Sequence, residues 1–306
     1  MKTLKWLACA SLALVMLPGL YAEARCPGNV ASIRPRIVGR FFIVVPVMLD
    51  KTGPYDFVVD TGAQITTIDP LLASELHPTQ LGATHVTGVG SYSHADYAQL
   101  DLLQVGMYAT KSPLILIQDL RQIQRIDTRI RGILGENFLE RFDVLIDYEH
   151  HILCLDDAKQ LQDRVKGERI ALTPVPHRDQ YQPFTEPLIV SVRLSEFPEQ
   201  PLLLQLDSGI DSPLLFEHGK SLPHVQFIGR SERHPTNDEI VQAFAVLPPQ
   251  DIRVGTHAFR QVSFVTPVGA SKDIPVKPDV DGVLPTILFR SVFMSYADRF
   301  AVLNPW

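Results

Sequence analysis

Residues 57–69 read FVVDTGAQITTID and place a carboxylate, Asp60, directly after an apolar strand and directly before a hydroxyl residue and a glycine. Aspartate and glycine are ordinary turn residues, so this stretch alone is compatible with a purely structural turn. A second carboxylate in the same setting elsewhere in the chain would instead favour a reactive site.

The second half of the chain repeats this pattern. Residues 54–69 (PYDFVVDTGAQITTID) are matched by residues 201–216 (PLLLQLDSGIDSPLLF), because both run an apolar strand into Asp, a hydroxyl residue and Gly. Downstream, residues 131–148 (RGILGENFLERFDVLIDY) are matched by residues 281–298 (DGVLPTILFRSVFMSYAD). The matches occur in the same order at nearly equal spacing, so the sequence predicts two halves of similar structure.

Each Asp-Thr/Ser-Gly triplet has the chemistry that a reactive carboxylate needs. The glycine has no Cβ, so it permits a sharp turn and the close approach of a second backbone. The hydroxyl group can bond to neighbouring backbone and make the turn rigid, which aims the aspartate outward from a fixed support. We therefore expect two groups of site residues, the catalytic pair Asp60 and Asp207 and the supporting residues Thr61, Gly62, Ser208 and Gly209.

The rest of the sequence favours an all-β fold. It consists mostly of short runs rich in Val, Ile, Leu and Phe that are separated by Pro, Gly, Asn and Asp. Short helices are predicted over residues 70–76 and 136–142. Strands are predicted over residues 40–49, 55–60, 112–117, 142–148, 187–194, 201–207, 224–229, 240–247 and 260–266.

The first residues are typical of a secretory signal peptide. Lys2 and Lys5 are basic, residues 6–17 are almost wholly apolar, and small residues precede a cleavage point that we place after residue 24. We therefore expect residues 1–24 to be a signal peptide and the protein to be exported, either periplasmic or secreted. Later apolar runs fall short of the roughly 20 residues that a membrane-spanning helix needs, so no membrane anchor is expected.

The composition suggests two lobes joined by a linker. Residues 156–186 carry charge and several prolines, which suits a linker better than a core strand. We place the N-terminal lobe at residues 25–155 and the C-terminal lobe at residues 187–306. The formal net charge of −6, without a cluster of basic residues, argues against nucleic acid as a partner.

The chain has three cysteines and ten histidines. After the expected cleavage two cysteines remain, Cys26 and Cys154, which could form a disulfide in an oxidising compartment or stay as two separate thiols. His150 and His151 are adjacent, but the chain has no His/Cys spacing of the kind that zinc sites show. No metal site is expected.

At these motifs the sequence resembles the aspartic proteases, both pepsin-like and retropepsin-like. The resemblance is carried by VVDTGA (58–63), LQLDSG (204–209) and GILGENFL (132–139). It spans about residues 38–305 and looks closest to bacterial exported proteins with both lobes in one polypeptide. It implies a two-lobed, all-β pepsin/retropepsin-like acid protease fold with short helices.

The resemblance also implies an activity. A protein of this kind is an aspartic-type endopeptidase, a hydrolase in which a water held between Asp60 and Asp207 attacks the peptide bond. It needs no cofactor, binds a peptide or protein substrate in extended form, and works as a monomer when one chain supplies both aspartates. A flap that closes over the cleft is expected around Gly88, Gly90 and Tyr92, in a stretch with the composition of a β-hairpin.

Two departures from the pattern leave other functions open. Pro285 stands where the first half has Gly135, which removes an amide donor, and Ile210 follows the second triplet. One alternative is a catalytically inactive protease-like protein that binds peptides or a partner. Another is a homodimeric retropepsin that uses Asp60 only, with a structural second half.

Overall fold

A computed structural model describes residues 25–28, 30–89, 91–174, 185–195, 200–216, 226–229, 232–234, 239–268 and 280–306 of the chain. The predicted signal peptide, the candidate flap residue Gly90 and part of the predicted linker lie outside these residues. Within them, no helix has both the length and the apolar character needed to cross a membrane.

The first half of the chain is a succession of short strands with three short helices among its described residues. In chain order these are β1 (Ala31–Ile33), β2 (Arg36–Val38), β3 (Phe42–Leu49), β4 (Thr52–Val59), β5 (Thr67–Ile68), α1 (Pro70–Leu76), β6 (Thr79–Gly88), β7 (Ser91–Gln99), β8 (Leu102–Val105), β9 (Tyr108–Lys111), β10 (Leu114–Ile117), α2 (Arg121–Gln124), β11 (Ile130–Leu134), α3 (Glu136–Leu139), β12 (Asp143–Asp147) and β13 (Ile152–Asp156).

The remainder of the chain continues in the same way. Its elements are β14 (Arg169–Ala171), β15 (Ile189–Leu194), β16 (Leu202–Asp207), β17 (Leu214–Leu215), β18 (Gln226–Ile228), β19 (Glu232–His234), β20 (Glu239–Val241), β21 (Ala243–Val246), β22 (Gln250–Val254), β23 (His257–Val262), β24 (Val265–Val268), β25 (Gly282–Pro285), a 3₁₀ turn (Thr286–Leu288), β26 (Phe289–Ser295) and β27 (Phe300–Pro305).

The sequence repeat is a structural repeat. In the first half β11 lies between β4 and β5, parallel to β4 and antiparallel to β5. In the second half β25 lies between β16 and β17, parallel to β16 and antiparallel to β17. A Cβ at Gly132 would lie 2.2 Å from the Phe57 ring and a Cβ at Gly282 would lie 2.0 Å from the carbonyl oxygen of Leu214. Each glycine of the downstream segment is therefore required by close packing.

Three sheets build the two lobes and join them. A twelve-stranded sheet holds most first-half strands, and a nine-stranded sheet holds second-half strands. The third sheet has the order β1-β13-β12-β26-β27-β14 and takes strands from both halves, since β12 pairs antiparallel with β26. The predicted all-β, two-lobed fold is therefore confirmed.

A strand from the second half also reaches the candidate flap. The β6–β7 hairpin is the longest in the twelve-stranded sheet among the described residues, and β20 pairs antiparallel with β7, with Ile240 opposite Tyr92 and Val241 opposite Ser91. The two halves of the chain are thus linked by backbone pairing both at the shared six-stranded sheet and at the hairpin.

The segment predicted as a linker contributes to the shared sheet. Its strand β14 pairs antiparallel with β27, and Ile170 and Leu172 are buried. Its first residue, Asp156, ends β13, and the Asp156 carboxylate accepts a hydrogen bond from the backbone of Leu161 at 2.6 Å. The described part of this segment is therefore packed against the lobes, and the domain boundaries stay a prediction.

Local sequence explains where the helices begin and end. Helix α1 has the predicted bounds because Asp69 caps it, accepting a hydrogen bond from Leu72 N at 2.9 Å, and Pro70 opens the first turn. Helix α3 ends at Leu139, short of the predicted residue 142. The predicted strand over residues 260–266 is two strands, β23 and β24, separated by Ser263 and Phe264.

A disulfide joins Cys26 to Cys154, with a sequence separation of 128. Cys26 precedes β1, which pairs antiparallel with β13 so that Ser32 lies opposite Cys154. Both cysteines are buried. Of the two outcomes that the sequence left open, the structure has the disulfide.

We expect loss of this disulfide to destabilise the fold, since cross-linking so long a loop restricts the unfolded chain and is worth about 2–5 kcal/mol. The C26S/C154S double variant should melt several degrees below the natural protein in an oxidising buffer. Calorimetry with and without reductant checks this, because the double variant should not respond to reductant. Equal melting temperatures for the two proteins would contradict the expectation.

Candidate active site

Both aspartates of the triplets stand at the carboxyl end of a strand that has a parallel neighbour. Asp60 follows β4, and its backbone N–H donates to Leu134 O, the last residue of β11, at 3.0 Å. Asp207 ends β16, where its Cα pairs with that of Pro285 at the end of β25. The same local architecture therefore presents both carboxylates.

The two carboxylates meet at one place because each triplet packs against the other. A Cβ built on Gly62 would lie 2.2 Å from Asp207 Oδ2, and one built on Gly209 would lie 2.5 Å from Asp60 Oδ2. Real Cβ atoms do not approach oxygen so closely, so only glycine fits at either position. The absence of the two side chains lets each aspartate face the opposite lobe.

The hydroxyl residues of the triplets join the two loops by reciprocal hydrogen bonds. Thr61 Oγ1 donates to Leu206 O and accepts from Ser208 N, both at 3.1 Å. Ser208 Oγ donates to Val59 O at 2.8 Å and accepts from Thr61 N at 3.1 Å. Thr61 and Ser208 are fully buried. These bonds fix the two loops relative to one another.

Backbone amides orient both carboxylates. Asp60 Oδ1 accepts from Gly62 N at 2.8 Å and from Ala63 N at 3.1 Å. Asp207 Oδ1 accepts from Gly209 N at 2.6 Å. Asp207 is 6% exposed, whereas Asp60 is partly exposed.

Comparison with known proteins agrees with this geometry. A family model described as aspartyl protease matches residues 45–138, which include the first triplet and all but the last residue of the GILGENFL segment. Over these residues the chain is therefore similar to the aspartic protease family. The crystal structure of an aspartic proteinase from Irpex lacteus has the same fold, with a TM-score of 0.51, 9% sequence identity, and coverage of 90% of this chain and 97% of that chain. No curated protein matches this sequence.

In the first lobe, Asn137 supports the Asp60 loop. Asn137 Oδ1 accepts from Thr66 N at 2.8 Å and from Thr66 Oγ1 at 2.9 Å, and its amide donates to Leu114 O at 2.9 Å. Thr66 Oγ1 also accepts from Gly135 N at 3.1 Å. Sequence reasoning did not assign these residues, although Asn137 lies within the GILGENFL segment.

At the equivalent positions the second lobe has neither the amide donor of Gly135 nor the hydroxyl acceptor of Thr66. Pro285 replaces Gly135, and Pro213 occupies the place of Thr66. One backbone hydrogen bond at this place is the same in both lobes, because Val265 N donates to Pro213 O at 2.9 Å just as Leu116 N donates to Thr66 O. The amide that Pro285 removes would have had no hydroxyl to bond, so β25 keeps its pairing with β16.

The candidate flap residues lie in the β6–β7 hairpin. Gly88 lies opposite Ser91, and Tyr92 lies opposite Thr87. The Tyr92 ring stacks on His85 of the same hairpin, with ring centres 5.0 Å apart and planes 1° apart. Closure of the flap over the dyad stays a prediction.

One group of ligand-type side chains among the described residues is close enough to share a cation. Asp147, Glu149 and His150 have ligand atoms within 4.8 Å of one another in the turn between β12 and β13. The Asp147 carboxylate contacts His150 through both oxygens, at 2.9 Å from its backbone nitrogen and 2.9 Å from Nδ1. These contacts account for the grouping without an ion.

Proposed function

We propose that this protein is an aspartic endopeptidase in which one chain supplies both catalytic carboxylates. The observation that carries the proposal is the reciprocal packing of Gly62 against Asp207 and of Gly209 against Asp60. Each lobe thereby completes the site of the other. The match of residues 45–138 to the aspartyl protease family model and the two-lobed fold support the same reaction class.

The chemistry follows from the paired carboxylates. With one proton shared, the ionised carboxylate takes a proton from a water held between Asp60 and Asp207 while the protonated one hydrogen-bonds the peptide carbonyl. The water oxygen then bonds to the carbonyl carbon, and the resulting intermediate breaks the C–N bond as the nitrogen is protonated. Backbone amides of Gly62 and Ala63 bond Asp60 Oδ1, and that of Gly209 bonds Asp207 Oδ1, so the backbone orients both carboxylates for this step.

The substrate is proposed to be a peptide or protein segment in extended form. A cleft between two β lobes with a neighbouring hairpin suits main-chain hydrogen bonding along the substrate and pockets for alternate side chains. The β6–β7 hairpin, with Gly88 and Tyr92, is the proposed flap.

The two alternatives have less support. A homodimer that uses Asp60 alone would leave the packing of Asp207 against Gly62 without a role. An inactive binding protein was motivated by Pro285, which removes only an amide that would have no hydroxyl acceptor in the second lobe. We accordingly propose a monomer, and light scattering of the purified chain checks this.

Export is proposed on two grounds. Residues 1–24 have the composition of a signal peptide, and disulfides such as Cys26–Cys154 persist mainly in oxidising compartments. We propose a periplasmic or secreted protein. Fractionation of cells that express the full chain, with N-terminal sequencing of the product, tests both the compartment and the cleavage point.

The direct test of the activity is a peptide library incubated with the purified protein across pH, with and without an inhibitor of the pepstatin type. Cleavage at defined peptide bonds that the inhibitor blocks supports the proposal. The D60N variant, prepared in the same way, controls for contaminating proteases. Specific peptide binding without cleavage at any pH would favour the inactive binding protein.

A serine at position 63 should move the pH profile of cleavage toward acid. Ala63 lies beside Asp60 Oδ1, to which its N–H donates, but it has no hydroxyl. A serine hydroxyl that donates to the charged carboxylate would favour that form, so the shared proton would be lost at lower pH. We expect both limbs of kcat/KM against pH to shift by roughly half a unit or more. The A63V variant, which adds bulk without a donor, should not show an acid shift.

A further inference from the structure

The second lobe has its own counterpart of the candidate flap hairpin. In the first lobe β10 is parallel to β5 and antiparallel to β7, and β7 pairs with β6. In the second lobe β24 is parallel to β17 and antiparallel to β21, and β21 pairs with β18. The β18–β21 hairpin is therefore the structural equivalent of the β6–β7 hairpin.

The two hairpins differ in the chain that connects their strands. Residues 89 and 90 alone connect β6 to β7, whereas residues 229–242 connect β18 to β21. The longer connection includes β19 and β20, which pair antiparallel with one another and which we call the arm. Gln242, which joins the arm to β21, is buried. The arm is therefore an extension of the second-lobe hairpin from a packed base.

The arm lies on one edge of the flap strand β7. Strand β6 pairs with β7 from Ser91 to Gln99 and so covers one edge. The other edge is shared, because β10 pairs with residues 96–99 and β20 pairs with Ser91 and Tyr92. Since Ser91 begins β7 directly after the hairpin turn, the arm covers the part of this edge that is nearest the tip of the flap.

The edge that carries the arm is the one that faces the candidate active site. Ala95 of β7 packs in one apolar cluster with Ile65, which lies in the loop that follows Asp60, so the hairpin stands beside that loop. The arm belongs to the second lobe, so the edge that it covers faces that lobe, and β6 lies on the far side of β7. A peptide in the cleft between the lobes would meet the edge that the arm covers.

An extended peptide that pairs with the flap needs the backbone groups that the arm uses. Main-chain recognition of such a peptide adds a strand to an unpaired edge. Here Ser91 and Tyr92 already lie opposite Val241 and Ile240 of β20. The pairing is short, and each of its hydrogen bonds adds little net free energy in water, because water and peptide groups can replace it. A bound peptide could therefore take the place of β20.

We propose, on the basis of the proposed protease function, that the arm is an autoinhibitory latch. In the free protein β20 occupies the flap edge, and an extended substrate binds by displacing it. The latch lowers the fraction of molecules that can bind substrate, so it raises KM. It leaves kcat nearly unchanged, because kcat is measured with substrate bound and the latch released. The arm contributes no group to the chemistry.

A reversible cross-link between the two strands tests the latch. The Cα atoms of directly opposed residues on antiparallel strands are about 4.5–5.5 Å apart, which a disulfide can span. The S91C/V241C variant can therefore be locked by oxidation and released by reductant. Its locked form should have a kcat/KM at least about tenfold below that of the released form, because substrate cannot displace β20.

The matched control is A83C/D96C. Ala83 lies opposite Asp96, so this disulfide joins the two strands of the flap hairpin to one another and leaves β7 able to part from the arm. Its kcat/KM should differ by less than about twofold between the oxidised and reduced forms. The buried Cys26–Cys154 disulfide is common to both variants, so any effect of reductant on it is common as well. Equal ratios of oxidised to reduced activity in the two variants would overturn the inference.

A variant that pairs poorly covers the case in which the cross-link does not form. Ile240→Pro removes a backbone N–H and is unfavourable within a paired strand, so it should release the latch. We expect KM to fall by about threefold or more with kcat within about twofold of the natural value. Hydrogen exchange of the Ser91 and Tyr92 amides should be faster in this variant than in the natural protein. A higher KM, a lower kcat or equal exchange in the two proteins would overturn the inference.

Inhibitor binding separates this inference from the proposed function. An inhibitor of the pepstatin type is peptide-like, and calorimetry measures its binding without cleavage. It should bind the locked form of S91C/V241C at least about tenfold more weakly than the released form. Equal binding would overturn the latch even where cleavage establishes the protease. Absence of both cleavage and binding in every form, the natural protein included, would instead overturn the proposed function and the latch with it.

Discussion

Replacing Asp60 or Asp207 with asparagine is expected to lower kcat/KM for peptide cleavage by roughly 10³-fold or more while the chain stays folded. The amide has nearly the same shape as the carboxylate, and its oxygen can still accept from the Gly62, Ala63 and Gly209 amides. It can neither share the proton nor act as the base toward water. Cleavage assays together with thermal melting of each variant measure both parts of the expectation.

The matched control for these variants is D211N. Asp211 is exposed and lies in the same loop as the second triplet, so its replacement removes the same formal charge without touching the dyad. Its activity should stay within about twofold of the natural protein, as for a surface substitution away from the site. Substantial cleavage by D60N or D207N would contradict the shared-proton mechanism.

The double variant D60N/D207N should be scarcely less active than either single variant, because the two residues act as one unit and their effects are not additive. The homodimer alternative predicts a different pattern. If the protein were such a homodimer, the D207N variant would keep its activity. The activity of the natural protein would then fall on dilution, because the dimer dissociates.

The internal repeat explains why so much of the site could be predicted. An Asp-hydroxyl-Gly triplet after an apolar strand is a local pattern, and its recurrence at residues 207–209 predicted the two triplets that the structure brings together. The downstream segments around Gly132 and Gly282 recur at similar spacing because each strand must pair in parallel beside its triplet. Repetition thus carried long-range information that a single motif does not contain.

Features that depend on unrepeated long-range pairing could not be predicted. Apolar periodicity indicates a strand but does not identify its partner, so neither the antiparallel pairing of β12 with β26 nor that of β20 with β7 was expected. The same limit applies to β14, whose three residues have no clear period. The Cys26–Cys154 disulfide also required the register of β1 on β13.

Differences between the two halves that compensate one another were a further limit to prediction from the sequence. Pro285 read alone indicates the loss of an amide donor. Its meaning changes once the structure places Pro213 where the first lobe has Thr66, since the acceptor of that amide is absent as well.

Gly62→Ala is expected to cause the second-largest loss of activity, about 10²-fold in kcat/KM or more, because it places a methyl group where the Asp207 carboxylate lies. The added Cβ would lie 2.2 Å from Oδ2, 2.5 Å from Cγ and 2.9 Å from Oδ1 of Asp207. That carboxylate is held by Gly209 N at 2.6 Å and cannot move aside without losing its bond. A displacement of about 1 Å at a reacting group is enough for a loss of this size.

The steric origin of the effect can be separated from a general weakening of the turn. Gly209→Ala should cause a similar loss, since its Cβ would lie 2.5 Å from Asp60 Oδ2. In a D207A background the carboxylate is absent, so Gly62→Ala should lower the free energy of unfolding by less than it does in the natural protein. A double-mutant cycle from chemical denaturation measures this difference. Equal costs in both backgrounds, or full activity of Gly62→Ala, would mean that Asp207 is not held against Gly62, and the cross-lobe dyad would lose its geometric basis.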